Sequence, residues 1–562
     1  MENGKMSGIQ QNGCAINNND HVRNKCVFLI AYKSVGPSGE NEDNEYLGYN
    51  EYLGVEYIIA VLEQNKIECD LHFVSHTQLG QLDKFLDDRV LMIGLPLYTD
   101  TVELVMKIAS QAKKVQPQAH ICLGGPQTGG YSRNILEDNP FIDSVVEGEG
   151  EYTLLDLVGR LMKKHSLSGC KGLTHRERGH ITREDIRKPI DSLDALPFPT
   201  RYIYEKYNQE YFYILGNRGC MGACSFCDEG AKKKIYGKPY VRSRSAVNIV
   251  DEMEYLLKKY ELASFRFSDA TFDDIDDLKQ SKDQAVYQEI IKRGLKVRLH
   301  IFSRVELTSK KTMEELALAR QAGVECVYLG IESANLKDIR LYRKNMSKAK
   351  AFQALNNLKQ AGIHPAFGFI FFNPFSTWQG LKENADFLYK SNLGHVFYLY
   401  QTRLEVLAQS DIKERLLREN MADNISYRSD YHAYRFLIPQ IEVLYKAVHQ
   451  MYTKAPIYYM DTMLEMDKLW LLRNMEAEKW EKQLGAAFQR LEHIKNELAQ
   501  LNYTTFIRCL NMAANNASEQ QLIQYGINHG LDKYHEEIEK YYTKIKVKAK
   551  KLSYMQAKNK TN

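Results

Sequence analysis

The chain has 562 residues, room for about three or four domains of ordinary size. Hydrophobic residues make up 44%, enough to bury sizeable cores, and 75 Lys and Arg against 71 Asp and Glu leave a net charge of +4. A balance this close to neutral gives no global case for nucleic acid or an acidic membrane as partner.

Residues 1–24 are polar and Asn-rich, with NNND at 17–20, and contain no apolar h-region, so no signal peptide is expected. The longest apolar runs, CVFLIAY (26–32) and FGFIFF (367–372) among them, are too short to cross a bilayer and suit buried parallel strands. Ten cysteines stand at 14, 26, 69, 122, 170, 220, 224, 227, 326 and 509; three are clustered and several others fall inside strand-like runs. Without a secretion signal, that pattern predicts reduced thiols in a cytoplasm.

After the tail, KCVFLIAY reads as a strand, followed by a loop and a helix whose Leu53, Tyr57, Ile58, Val61 and Leu62 recur at helical spacing. Next come IECDLHFV, a helix near 79–88, VLMIGLPLY, a helix near 101–114, AHICLGGP and DSVVEGEGE. Strand alternating with helix predicts a parallel sheet covered on both faces, a Rossmann-like α/β domain over 25–165. Residues 166–205 lack sustained periodicity and end in LPFPTRY, whose two prolines predict a stiff extended linker. From 206 the alternation resumes with longer units: YFYILGNRG, ASFRFSDATF, KVRLHIFSRVE, GVECVYLGIES, IHPAFGFIFFNP and GHVFYLYQTRL. Six such units predict a partial (β/α)6 barrel of TIM type over 206–404, with its chemistry at the C-terminal strand ends. Residues 405–562 read as a mainly helical capping domain, with Trp480, Leu484, Phe488, Leu491, Ile494, Leu498 and Leu501 three or four apart. The terminal KIKVKAKK suits a solvated tail or a substrate-facing basic one.

The densest chemical signal is RGCMGACSFC, residues 218–227, where Cys220, Cys224 and Cys227 are spaced C-x3-C-x2-C just after a strand. Soft thiolates select zinc or iron–sulfur. Structural zinc normally takes four ligands, and after Cys227 only the isolated Cys326 and Cys509 remain, with no histidine nearby. Three unrelated loop thiols are the plain alternative. Gly219 and Gly222 favour a tight loop around an inorganic core, so the cluster is the preferred reading.

Here the chain resembles the radical S-adenosylmethionine (SAM) superfamily, whose signature is this cysteine spacing with an aromatic before the last Cys; Phe226 holds that place. The resemblance implies a [4Fe-4S] cluster on Cys220, Cys224 and Cys227. The fourth iron is left open for the amino and carboxylate groups of SAM, whose reductive cleavage gives a 5′-deoxyadenosyl radical. It also implies SAM contacts at successive strand ends: Asp269 toward the ammonium, Arg304 toward the carboxylate, Glu332 and Ser333 toward the ribose or methionyl part, with FFNPFST beside the adenine. Singly, Asp269 and Ser333 suit caps or turns and Arg304 an ion pair; their order after the cysteine loop favours the cofactor reading.

LGGPQTGG (123–130), VVEGEGEYTLLDL (145–157) and LPFPTRY (196–202) look like the cobalamin-binding subfamily of these enzymes, and the two resemblances cover about residues 25–400. They imply cobalamin contacts at Gly124, Gly125, Pro126, Gln127, Glu147 and Gly148. Gly124 and Gly125 would let the backbone approach a flat ligand or its nucleotide tail, although a plain αβ turn has the same order. The Asp-x-His-x-x-Gly signature of other cobalamin domains has one near miss, Asp70-Leu71-His72-Phe73-Val74-Ser75, and His72 reads as a sheet residue. The lower cobalt face is then expected over GLPLYTD, at Leu97 or Tyr98.

The commonest reaction in the subfamily is methylation of an unactivated carbon or a phosphinate phosphorus: a substrate hydrogen is removed and methyl arrives from methylcobalamin. Rearrangement, cyclisation or oxidation without methyl transfer, and a non-catalytic cobalamin sensor, are the alternatives. A methylthiolating RNA enzyme would need a second N-terminal cluster, for which Cys14, Cys26, Cys69, Cys122 and Cys170 are too dispersed. The implied partners are a small-molecule or peptide substrate and an external electron donor such as flavodoxin or ferredoxin, with neither nucleic acid nor membrane. The Tyr-rich stretches at 427–436 and 451–461 suit a substrate wall or a helical core equally.

Overall fold

The computed structural model describes residues 23–32, 52–207, 211–260, 262–274, 282–407, 409–453 and 477–528. Parts of the N-terminal tail, the loop after the first strand, most of 451–461 and the basic C-terminal stretch therefore lie outside the described residues, as do the side chains of Trp480, Leu484, Phe488 and Leu491.

The front sheet begins with five parallel strands: β1 (Lys25–Ala31), β2 (Glu68–Val74), β3 (Val90–Pro96), β4 (His120–Gly124) and β5 (Ser144–Val146). All seven residues of β1 are buried, as a continuous apolar run in a sheet covered on both faces requires. Helices Leu53–Gln64, Val102–Val115, Ser132–Asp138 and Glu151–Met162 make the crossovers. The spatial order is β2-β1-β3-β4-β5, so the chain leaves β1 on one side and returns to β3 on the other. A ligand crevice is expected outside the C-terminal ends of these two strands, where the winding reverses. The helix expected near 79–88 is a 3-10 segment, His76–Lys84, interrupted at Gln81.

Two further strands extend the sheet as a hairpin, β6 (Leu173–Glu177) antiparallel to β5 and β7 (His180–Arg183) antiparallel to β6. This corrects the reading of 166–205 as an irregular linker. The strands are short, and Arg178 and Gly179 both have positive φ (50° and 83°), the geometry of a two-residue hairpin turn that Arg rarely adopts.

His120 on β4 bonds Ser144 of β5 through Nε2 at 2.7 Å, and burial depresses its pKa from the ordinary value to about 4. Between there and the unfolded value of about 6.5, the unfolded chain binds more protons. Stability therefore rises with pH across that window and is lost on acidification through it. Denaturant midpoints measured from pH 7 down to 4.5 are expected to fall, and His120→Gln to flatten part of that slope.

The second sheet holds β8 (Phe212–Ile214), β11 (Ser264–Phe267), β12 (Arg298–Arg304), β13 (Val324–Glu332) and β14 (His364–Phe369), all parallel and in that order. Strands β9 (Asn217–Gly219) and β10 (Val241–Ser243) form a separate antiparallel pair. Burial alternates strictly along β12 and nearly so along β13. On one face Phe212, Phe265, Phe267, Leu299, Ile301, Val327 and Leu329 are buried beneath helices. Opposite them, Arg266, His300, Phe302, Cys326 and Tyr328 stand half-buried on the concave side.

The sixth expected strand, near 395–405, is instead the 3-10 turn Phe397–Gln401 and a single parallel bridge from Arg403 to Phe372. The Arg403 guanidinium lies 4.3, 4.8 and 4.9 Å from the rings of Tyr434, Phe436 and Tyr445, so the C-terminal segment captures this stretch before it can extend a ladder.

Beyond 405, helices Asp411–Arg418, Pro439–Thr453, Ala477–Ala514 and Glu519–Asn528 match the helical expectation, whereas 419–438 is irregular. That segment crosses to the front sheet. The Tyr131 hydroxyl donates to the Ile425 carbonyl (2.6 Å), Gln127 Nε2 to the Tyr427 carbonyl (3.0 Å), and the Tyr427 hydroxyl to Asp138 (2.9 Å).

Candidate active site

The cysteine loop hangs between β9 and the helix Glu229–Tyr236. Gly219 opens it at φ 95°, where a side chain would run into the Tyr240 carbonyl. Ser225 anchors its middle: its amide donates to the Tyr342 carbonyl (3.1 Å), its hydroxyl to the Leu341 carbonyl (2.6 Å), and its carbonyl accepts from Ile412 (2.8 Å). Phe226 packs edge-on against Tyr342 at 5.4 Å.

The Cys220 and Cys224 sulfurs both flank Gly222. A Cβ built on Gly222 would stand 3.2 Å from Cys220 Sγ and 3.8 Å from Cys224 Sγ, so only glycine keeps that space open. Burial pushes all three thiols up, Cys227 to about 12, with Lys344 and Arg304 opposing the rise at Cys224. Among the described residues no three His, Cys, Asp or Glu side chains converge as a single metal ion would require. A cubane does not need that convergence, because each thiolate goes to a different iron.

Asp269 is buried at the end of β11, where its carboxylate accepts from the Gly216 amide (2.6 Å) and pairs with Lys282 (2.7 Å). Arg304 is held by Asp274 (2.5 Å) and Glu306 (3.0 Å), with its Nε buried and unpartnered. Its Cδ lies 3.8 Å from the position a Gly222 Cβ would take, which brings it to the cysteine loop. Glu332, at φ 62°, pairs with Lys344 at 3.0 Å. Ser333 differs from these: it is fully buried in hydrogen bonds with Asp338 and Asn384 and accepts from the Asn335 amide, as a capping residue does.

In the front domain a cavity of about 400 Å³ opens at the β1–β3 crevice. Its floor and walls include Phe28, Gly94, Tyr98, Gly124, Gly125 and Gly148. Leucine 97 does not face it; Leu97 is fully buried in the domain core, and its backbone clasps the next loop, its amide donating to the Gly124 carbonyl (2.7 Å). Pro126 and Gln127 do not line it either. Gln127 bonds Thr99 (2.7 Å) and the Tyr427 carbonyl. Glu147 turns away to accept from Ser132, Thr174 and Arg183, which holds its carboxyl below the usual range against the cost of burial. His72 lies in β2, stacked on Phe85 at 4.5 Å.

The glycines make the cavity. Gly125 has φ 102°, and a Cβ there would meet the Leu97 carbonyl oxygen at 2.9 Å. Gly125→Ala is expected to cost about 1–3 kcal/mol, read as a lowered melting midpoint, whereas Gly130→Ala, with φ 76° and open space, costs less.

The far wall comes from the second domain: Leu215 and Ser268, just past the ends of β8 and β11, and Arg218 on β9. Arg218 pairs with Glu149 (3.2 Å) and Glu151 of the front domain, so an ion pair closes the seam between the domains at the cavity. Sequence reading missed these residues. Arg218 sits two positions before Cys220, and its signal was the proximity itself.

Residues 44–158 match the B12 binding domain and residues 214–388 the Radical SAM superfamily. Over 359 residues the chain is 24% identical to an uncharacterized methyltransferase of Pyrococcus horikoshii, covering 62% of this chain and 75% of that protein. It is 26% identical over 328 residues to the anaerobic magnesium-protoporphyrin IX monomethyl ester cyclase of Cereibacter sphaeroides, 56% of this chain and 52% of the cyclase, so it spans about half of that relative. Among solved structures, the cobalamin-dependent S-adenosylmethionine radical enzyme OxsB, with aqua-cobalamin and S-adenosylmethionine bound, superposes with a TM-score of 0.66 at 17% identity. That match covers 92% of this chain and 84% of OxsB, a likeness of fold.

Proposed function

The chain is a cobalamin-binding radical SAM enzyme, and we propose that it methylates an unactivated carbon of a natural-product or peptide precursor. One observation carries the reading: a single cavity is bounded by the strand ends of the B12-binding sheet on one side and, on the other, by Leu215 and Ser268 just past β8 and β11 and by Arg218 of β9 in the radical SAM domain. When bound, the [4Fe-4S] cluster with SAM supplies hydrogen-atom abstraction and the cobalamin supplies a transferable methyl group.

The chain's own residues do the positioning. Cys220, Cys224 and Cys227 hold three irons and leave one corner open. Arg304, already at the cysteine loop, would offer its guanidinium to the carboxylate of a bound SAM, while Asp269, its carboxylate buried between the Gly216 amide and Lys282, steadies the strand end beside it. The glycine-lined wall, with Tyr98 at its rim, lets a flat macrocycle lie close against the backbone. The crossing segment 419–438 braces the loop that bears Tyr98. A bound cluster would take its electron from an external one-electron donor such as flavodoxin or ferredoxin. The nine free cysteines among the described residues support action in a reducing compartment, for which we propose the cytoplasm.

A second reading, cyclisation or rearrangement without methyl transfer, is supported by the similarity to the cyclase. Anaerobic reconstitution with iron, sulfide and cobalamin, followed by desalting and reduction in the presence of SAM, tests both. Retained corrin absorbance, deoxyadenosine release and a product heavier by one methylene support methylation. A product without that mass supports the second reading. A chain that keeps corrin but releases no deoxyadenosine is a sensor, and both readings fall.

A further inference from the structure

The concave face of the second sheet carries an arginine that the cofactors do not claim. In register across three strands stand Tyr213, Arg266 and His300. The Arg266 guanidinium lies between two rings, 5.8 Å from Tyr213 and 5.7 Å from Phe302. It is half-buried, and among the described residues it makes no hydrogen bond or ion pair. Its neighbours behave differently. Arg201 and Arg244 share Glu252, Arg218 and Arg242 share Glu149, and Arg304 has Asp274. The Arg266 nitrogens are absent from the buried unpartnered atoms and so keep contact with solvent; an anion arriving there meets a cation flanked by rings and not already paired with a carboxylate.

Its depth in the sheet indicates which anion. Ser268, two residues beyond Arg266 on the same face of the strand, lines the shared cavity. At about 3.3 Å per residue, Arg266 lies about 7 Å beneath it. Arg304, the group at the cysteine loop, is four residues beyond His300, the register partner of Arg266, and so about 13 Å higher along the strands. A SAM molecule on the cluster is therefore served by Arg304, and Arg266 waits a full layer below.

The geometry points to a substrate with an anionic oxygen group, a carboxylate or a phosphate ester, which enters the barrel from the cavity and sets that group on Arg266 while its reacting carbon stays at the level of Ser268. This rests on the enzyme reading above and adds the substrate class. Two planar rings flanking the guanidinium hold its fork fixed for bidentate contact, which suits both anions.

The test uses the full chain reconstituted with cluster, cobalamin and SAM. It is treated with the arginine reagent phenylglyoxal, and adducts are mapped by mass spectrometry. Inorganic phosphate and succinate are added in separate arms at millimolar concentration. Arg266 is expected to react, and to react about fivefold or more slowly with at least one anion, while the exposed Arg133 is unaffected. Protection by phosphate alone identifies a phosphate ester, and by succinate alone a carboxylate. Equal rates at Arg266 with and without both anions overturn the proposal, as does an Arg266 that never reacts. Deoxyadenosine release in the same preparation reports on the enzyme reading separately, so failure of one is not mistaken for failure of the other.

Discussion

Replacing Cys220, Cys224 or Cys227 singly by alanine abolishes reductive cleavage of SAM and releases the cluster iron. In the proposed site each thiolate would hold a different iron, so loss of one would open a second corner and destroy the asymmetry that directs SAM to a single site. The loop offers no substitute ligand. Cys326 and Cys509 are far in sequence, the former on the concave face of β13 and the latter buried in the helix Ala477–Ala514. Iron per chain and deoxyadenosine after dithionite reduction measure the effect, and both are expected to fall to background. Cys509→Ala, away from the loop, keeps its iron. If any one of the three variants retains iron and releases deoxyadenosine, the cluster is not on this loop.

The second large effect is on stability. Glu252, on the helix Ala246–Tyr260, is 1% exposed and takes two buried guanidiniums, Arg201 and Arg244, each at 2.5 Å. The same arginines donate to the carbonyls of Tyr213 and Leu215 at 3.0 Å, the strand that leads into the cysteine loop. Glu252→Gln leaves two buried cations with one neutral amide between them. Removing one partner of a buried charge cluster costs about 3–5 kcal/mol, because the remaining charge is uncompensated. The denaturant midpoint is expected to drop accordingly. A triple variant, Glu252→Gln with Arg201→Met and Arg244→Met, removes the charge altogether and is expected to recover most of the loss. A triple variant no more stable than the single one would show that packing, not charge, dominates there.

Much of this architecture was legible because two physical signals are strong. Buried parallel strands must be apolar throughout, so CVFLIAY and LMIGLP reveal themselves, and a three-thiol loop has few uses. In LPLY the sequence left Leu97 and Tyr98 open: just past the end of β3, Leu97 turns into the core and Tyr98 out to the cavity. What failed was what depends on distant chain. The hairpin at 173–183 is made of short, half-polar strands that gain stability only from pairing with β5. The sixth barrel strand looked apolar enough, but Arg403 is captured by rings more than 30 positions later. Ser333 and Glu147 had the right residue type in the right motif, and each is consumed by a buried hydrogen-bond network. Arg218 and Arg266 carried no motif; their meaning comes from the two domains meeting and from register across three strands.

The bonds from Tyr131 and Gln127 to the carbonyls of Ile425 and Tyr427 join positions 294 and 300 residues apart. A chain emerging from the ribosome completes its front sheet long before that brace exists. The loop that bears Tyr98 is therefore braced only late in synthesis, after the strands of both sheets have left the ribosome.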